Sequence, residues 1–137
     1  MGSRAETSRT MKEDFYIYFS STDFESIDVC LPHETAKGNW RIGVCEISFS
    51  KSKVSFPSLD ICCNIITPNF QNNTSTQILR KIHPGKGKII PFNPILYCNV
   101  LTPTMRNLQL YLKTDENDFS PFKGITLYCT LHCVSHE

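Results

Sequence analysis

Residues 37–50, KGNWRIGVCEISFS, contain the longest continuous run of strand-forming residues in the chain. The turn signal Gly38-Asn39 leads directly into this run, which is typical of the start of a β-strand. Counted in steps of two, the run divides into two sides, and neither side is uniformly polar. One side holds Trp40, Ile42 and Val44, and the other holds Arg41, Gly43, Cys45, Ile47 and Phe49. This pattern predicts a central strand that is buried on both faces near its start and more exposed at its far end.

Two residues of this strand are candidates for particular roles. Trp40 is the only tryptophan of the chain, and its size makes it the expected anchor of the core. Glu46 is the only carboxylate inside the run. No histidine, Cys-His pair or second acid lies at a useful spacing from it, so we interpret Glu46 as a sheet-edge or subunit contact rather than a catalytic group.

The rest of the chain divides into short strand-like segments separated by turn signals. The predicted strands are 14–19, 26–31, 59–67, 76–83, 87–92, 95–100, 106–113 and 124–134. Residues 69–75 are predicted to be a loop. Segment 76–83 could also be a helical turn, but Pro84-Gly85 favours a strand that forms a hairpin with 87–92. The predicted core consists of the large apolar residues that alternate along the strongest strands: Trp40, Ile42, Val44, Leu108, Leu110, Leu112, Leu127 and Leu131.

About eight or nine short strands, with no segment that has the periodicity of a three-turn helix, predict an all-β protein. Such spacing is typical of an antiparallel β-sandwich or a barrel. The last strand is among the most apolar, so we expect it to be central and paired with an early strand. This order favours a Greek key or a single jelly roll of about eight strands over a simple meander.

Composition limits the function classes. The 137 residues are enough for one domain, and 40% hydrophobic and 20% charged residues are ordinary for a globular protein. A net charge of +1 gives no basic field, so direct binding to nucleic acid is not expected. Residues 1–13 are polar and aperiodic and are predicted to be a flexible N-terminal arm, followed by one domain over 14–137. There is no apolar segment of the signal-peptide or membrane-spanning type, so we expect synthesis in the cytosol and no membrane contact.

No constellation of catalytic or metal-binding residues is visible. The seven cysteines are an odd number without a CxxC pair, which predicts free thiols. The four histidines lack HxH and HExxH spacings. His132 faces the opposite side of its strand from Cys129 and Cys133, which argues against a zinc site. We therefore expect neither enzyme activity nor a cofactor.

The only basic cluster is formed by Arg80, Lys81, Lys86 and Lys88 in the predicted hairpin RKIHPGKGK. These side chains could keep a solvated hairpin tip soluble, or they could contact phosphate or an acidic partner. The segment is not a P-loop, because it lacks the GK[ST] ending and the strand-to-helix context. With Glu46, these four residues are the candidate interface residues.

The order of the segments resembles a family of viral proteins. The segments are GNWRIGVCEI at 38–47, LDICCNI at 59–65 with ILR at 78–80, NLQLYL at 107–112 and GITLYCTLH at 124–132. Over residues 14–133 this order is similar to that of the minor capsid (penton) proteins of Polinton or Maverick elements and adintoviruses. The more specific matches are Gly38, Trp40, Glu46, Ile47, Leu131 and His132, whereas Cys133 stands where the family pattern has an aromatic residue.

The resemblance implies a structural virion protein rather than an enzyme. It implies a single jelly roll that self-assembles into pentamers at capsid vertices and contacts a major capsid protein with a double jelly roll. It also implies location in the virion, synthesis in the host cytoplasm and the host nucleus as a candidate assembly compartment. The competing class is a non-enzymatic jelly-roll binding module, either a trimer resembling the tumour-necrosis-factor and C1q group or a carbohydrate-binding sandwich. Predicted loop aromatics that could contact a sugar are Phe24, Phe70, Phe119 and Phe122.

Overall fold

The computed structural model describes residues 11–22, 26–51, 58–71, 73–82, 89–114 and 118–136. Within these ranges the chain forms eleven β-strands and a 3-10 turn at Ser120–Phe122, and it contains no α-helix. The strands are β1 Met11–Thr22, β2 Ile27–Cys30, β3 Asn39–Phe49, β4 Leu59–Cys63, β5 Asn69–Gln71, β6 Thr74–Thr76, β7 Ile78–Ile82, β8 Ile89–Pro91, β9 Tyr97–Asn99, β10 Asn107–Lys113 and β11 Thr126–His136.

The strands form two sheets that pack as a sandwich. The first sheet has the order β1-β11-β3, and β3 then pairs with both β8 and β9; the second sheet has the order β2-β10-β4-β7. All pairs are antiparallel. If β8 and β9 are counted as one interrupted strand and the small β5-β6 hairpin is left out, eight strands remain. Renumbered 1 to 8 in chain order, they form sheets with the orders 1-8-3-6 and 2-7-4-5. This nesting of the first strand beside the last is the order of a single jelly roll, so the predicted all-β fold class is confirmed.

Three sequence-based expectations differ from the structure. The predicted loop 69–75 contains the small β5-β6 hairpin. Segments 76–83 and 87–92 do not form a hairpin, because β7 pairs with β4 in the second sheet whereas β8 pairs with β3 in the first. The intervening residues 83–88 lie outside the described residues. The first strand starts at Met11, so Met11 and Glu13 of the predicted arm pair with β11, and residues 1–10 are not described.

A β-bulge explains the mixed character of β3. Thr130 of the partner strand β11 pairs with Glu46, and the next residue, Leu131, pairs with Val44. Cys45 is therefore an extra residue with no residue opposite it on β11. The bulge turns Ile47 and Phe49 to the same side as Trp40, and both are fully buried. The expectation that β3 is buried on both faces and exposed at its far end is therefore wrong: one face of β3 points into the core along its whole length.

The core lies between the two sheets. All eight residues of the predicted core set are members of one buried cluster, together with residues such as Phe49, Ile61 and Phe122. Trp40 is 2% exposed, and its ring lies 5.5 Å from that of Phe15. The Trp40 Nε1 donates a hydrogen bond to the Ala36 carbonyl oxygen at 2.8 Å, so the buried indole N–H has a partner.

Candidate interaction face on the outer sheet

The side of the first sheet that points away from the core carries an unusual concentration of tyrosine. Because side chains alternate along strands, outward residues of neighbouring strands form cross-strand rows. The rows are Tyr16, His132, Gly43 and Tyr97; Tyr18, Thr130, Glu46 and Pro91; and Ser20, Tyr128, Ser48 and Ile89. We call this surface the outer face. It holds four of the five tyrosines of the chain, each between 39% and 75% exposed.

A hydrogen-bonded chain orders one end of the outer face. The His132 Nδ1 lies 2.8 Å from the Tyr97 hydroxyl, and the His132 Nε2 lies 2.9 Å from Asp14 Oδ2. The Tyr16 ring stacks on the imidazole with centroids 4.6 Å apart. Both ring nitrogens are therefore engaged, which leaves neither free for a metal ion. Across the described ranges, no group of three or more His, Cys, Asp or Glu is placed to hold a metal.

Gly43 makes this arrangement possible. A Cβ at position 43 would lie 2.5 Å from Ile95 Cγ2 and 3.0 Å from Tyr97 Cδ1. Real Cβ atoms do not approach other atoms so closely, and glycine inside a strand often marks such a close approach. The missing side chain lets the segment before β9 cross the outside of β3 and brings Tyr97 to His132.

The other end of the outer face is a shallow open cleft of about 310 Å³. Tyr18 and Tyr128 line it, together with residues that include Ser20, Glu46, Ser48 and Thr130. Glu46 is exposed and forms no ion pair with a described residue. Because β3 is paired on both sides, Glu46 does not lie at a sheet edge, and that alternative is wrong. An uncompensated carboxylate in the same cleft as two exposed aromatic rings is suited to contact a cationic side chain.

The basic cluster lies elsewhere. Arg80 and Lys81 belong to β7, the edge strand of the second sheet, whereas Lys86 and Lys88 lie outside the described residues. Lys81 Nζ is 2.9 Å from Asp60 Oδ1, and the Arg80 guanidinium lies 4.5 Å from the centre of the Phe92 ring. The structure therefore does not bring the candidate interface residues together on one surface.

Arg80 and Lys81 line an open groove of about 510 Å³ at the side of the sandwich, between β7 and the segment that leads into β9. Its other lining residues include Asn69, Phe70, Ile78 and Leu96. Phe70 is 80% exposed and Leu96 is 55% exposed. We call this surface the flank groove. It presents apolar side chains beside a guanidinium, a composition that also occurs in protein interfaces.

The loop aromatics do not form a common site. Phe122 is 1% exposed and stacks on Phe49 at a ring distance of 6.3 Å, so its assignment as a sugar-contacting loop residue is wrong. Phe119 is partly buried against the core, and Phe24 lies outside the described residues. Of the three described loop aromatics, Phe70 is the exposed one, and it belongs to the flank groove.

Cysteine chemistry gives a first testable prediction. All seven thiols are unpaired in the structure. Burial raises the pKa of the Cys62 thiol to about 12, of Cys63 to about 11 and of Cys133 to about 12, and it also raises the pKa of Cys129. Because the thiolate is the reactive form, these four groups should resist alkylation at neutral pH. Cys30 is exposed and should be labelled first.

The measurement is mass spectrometry of the folded protein after a short iodoacetamide pulse, followed by thiol counting after denaturation without reductant. We expect early modification at Cys30, protection of the four buried thiols and nearly seven thiols after unfolding. Two or more intramolecular disulfides in freshly prepared protein would contradict the prediction of free thiols.

No protein-family model matches the sequence, and no curated protein sequence matches it. Among solved structures, the mavirus penton protein superposes with a TM-score of 0.53 at 7% identity, over 90% of this chain and 100% of that chain. The core of Drosophila NLP, a protein studied for pentamer formation and histone binding, gives a TM-score of 0.44 at 9% identity over 91% of this chain and 100% of that chain. Infectious bursal disease virus VP2 gives 0.38 at 14% identity, over 93% of this chain and 34% of that chain.

These likenesses concern the fold. The protein is an antiparallel jelly roll of the type found in viral capsid proteins. Among the described residues, no helix has the length and apolar character needed to cross a membrane.

Proposed function

We propose that the protein is a structural virion protein, a minor capsid subunit of the penton type that forms pentamers at capsid vertices and contacts a major capsid protein. The observation that carries the proposal is the jelly-roll order, which covers the full length of the mavirus penton chain and leaves little of this chain unmatched. The sequence resemblance to the penton proteins of Polinton elements and adintoviruses points the same way. On this proposal the protein acts in the virion without a cofactor and without enzymatic chemistry.

The surface supports a protein whose work is association. Tyrosine is enriched in the centres of protein interfaces, and four tyrosines lie exposed on one sheet face. An exposed apolar groove lies at the side of the sandwich, separate from that face. A monomeric binding module would need one such surface, whereas a shell subunit needs contacts with its neighbours in the ring and with the surrounding shell.

Sedimentation velocity over a range of concentrations tests the proposal, with the full chain compared with a variant that lacks residues 1–10. The full chain should sediment as a closed oligomer with the mass of five chains. The deleted segment ends before β1 begins, so the ring and the unfolding midpoint should be unchanged. Binding of the ring to a major capsid protein, or of one ring to another, should weaken, because the arm is proposed to make these contacts. A protein that stays monomeric at high concentration would contradict the capsid role, and a stable trimer would support the tumour-necrosis-factor-like module instead.

A further inference from the structure

A closed ring requires two different surfaces on each subunit. In a head-to-tail ring, one surface of a subunit contacts a second, dissimilar surface of its neighbour, and the two must complement each other. The described part of the chain presents two exposed aromatic or apolar surfaces of this kind, the outer face and the flank groove.

The chemistry of the two surfaces is complementary. The cleft of the outer face presents Tyr18, Tyr128 and the uncompensated Glu46. The flank groove presents Phe70, Leu96 and Arg80. Arg80 forms no ion pair with a described residue; its guanidinium is half-buried against the Phe92 ring, and the buried Nη1 has no hydrogen-bond partner among the described residues. Contact between the surfaces would cover the exposed rings and place a carboxylate near a guanidinium, the pair with the best geometry for charge-assisted hydrogen bonds.

The positions of the two surfaces also suit a ring. Tyr18 lies on β1, at one edge of the first sheet, and the flank groove lies on the side of β8 and β9, at the opposite edge. Three strand spacings, about 14 Å, separate these edges. Dissimilar surfaces at opposite edges of a subunit can each bind a neighbour in a head-to-tail ring.

We infer that the outer face of one copy, through Tyr18, Tyr128 and Glu46, docks onto the flank groove of the next copy, at Phe70, Leu96 and Arg80. The partner that binds the outer face is thus a second copy of this chain. The inference rests on the proposed ring-forming function and identifies the contact that closes the ring. His132, Asp14 and Tyr97 order the neighbouring end of the face without entering the groove.

The test uses one disabling substitution on each surface. Tyr18→Lys brings a positive charge against Arg80, and Phe70→Asp brings a negative charge against Glu46. Each variant alone should be monomeric at a concentration where the wild type forms rings. An equal mixture should form heterodimers, because the intact outer face of the Phe70→Asp protein can dock onto the intact groove of the Tyr18→Lys protein. Unchanged thermal unfolding of both variants would show that the domain remains folded.

Leu101→Asp and Leu101→Lys are the matched controls. Leu101 is 56% exposed and lines neither surface, so both variants should form rings like the wild type. Rings that survive both disabling substitutions would overturn the inference and leave the proposed function standing. A Phe70→Asp protein that still assembles while Tyr18→Lys does not would also overturn it, since that result indicates a face-to-face contact. A mixture that remains monomeric would overturn it as well. A monomeric wild type would contradict the proposed function itself.

Discussion

Replacing Ile47 by aspartate should prevent the domain from folding. Ile47 has no exposed surface, and the bulge at Cys45 points it into the core between the sheets. A carboxylate there would have neither water nor a described basic partner, and an unpaired buried charge costs more than the whole stability of many domains of this size. Far-UV circular dichroism and the soluble fraction after expression measure the outcome.

Ser48→Asp is the matched control for this experiment. Ser48 is the next residue of the same strand and faces outward into the cleft of the outer face. Its replacement should leave the fold intact and change the unfolding free energy by less than about 1 kcal/mol. If Ile47→Asp folded normally and Ser48→Asp did not, β3 would run without the bulge and its inward face would be the opposite one.

Trp40→Ala should destabilise the domain by about 3 to 5 kcal/mol, the range measured for truncation of a large aromatic residue in a packed core. The indole is almost completely buried, contacts Phe15 and donates a hydrogen bond to the Ala36 carbonyl. The substitution therefore removes apolar contacts between β1 and β3 and leaves the Ala36 carbonyl oxygen without this donor.

Guanidinium-induced unfolding of the purified variant measures the loss. Tyr18→Ala provides the control, because Tyr18 is also a strand aromatic but lies mostly in solvent, and its truncation should cost well under about 1 kcal/mol. Equal unfolding midpoints for Trp40→Ala and the wild type would mean that Trp40 is a surface residue.

The strand pattern could be predicted because alternation is a local property. Leu108, Leu110 and Leu112 alternate strictly, and the structure buries all three on one side of β10. The bulge in β3 could not be predicted, because counting in steps of two assumes that successive residues always point to opposite faces. The extra residue Cys45 breaks this alternation. The pairing of β7 and β8 with different sheets also depends on contacts far apart in sequence, which the Pro84-Gly85 turn signal does not report.

The outer face was only partly accessible from sequence. Tyr16 and Tyr18 alternate with Ile17, which is buried, so the outward position of these two tyrosines follows from the pattern of the first strand. The contact between His132 and Asp14 does not follow from a local pattern, because it joins residues 118 positions apart through the pairing of the first strand with the last. The placement of Tyr97 depends in addition on the missing side chain of Gly43.

Electron cryomicroscopy of the purified full-length chain tests the central claim most directly. Two-dimensional class averages of top views report the number of subunits in the assembly without assumptions about its shape. The proposed capsid role predicts closed rings with fivefold symmetry, each subunit one jelly-roll sandwich. Top views with threefold symmetry, or particles no larger than a single sandwich at concentrations that favour association, would contradict it.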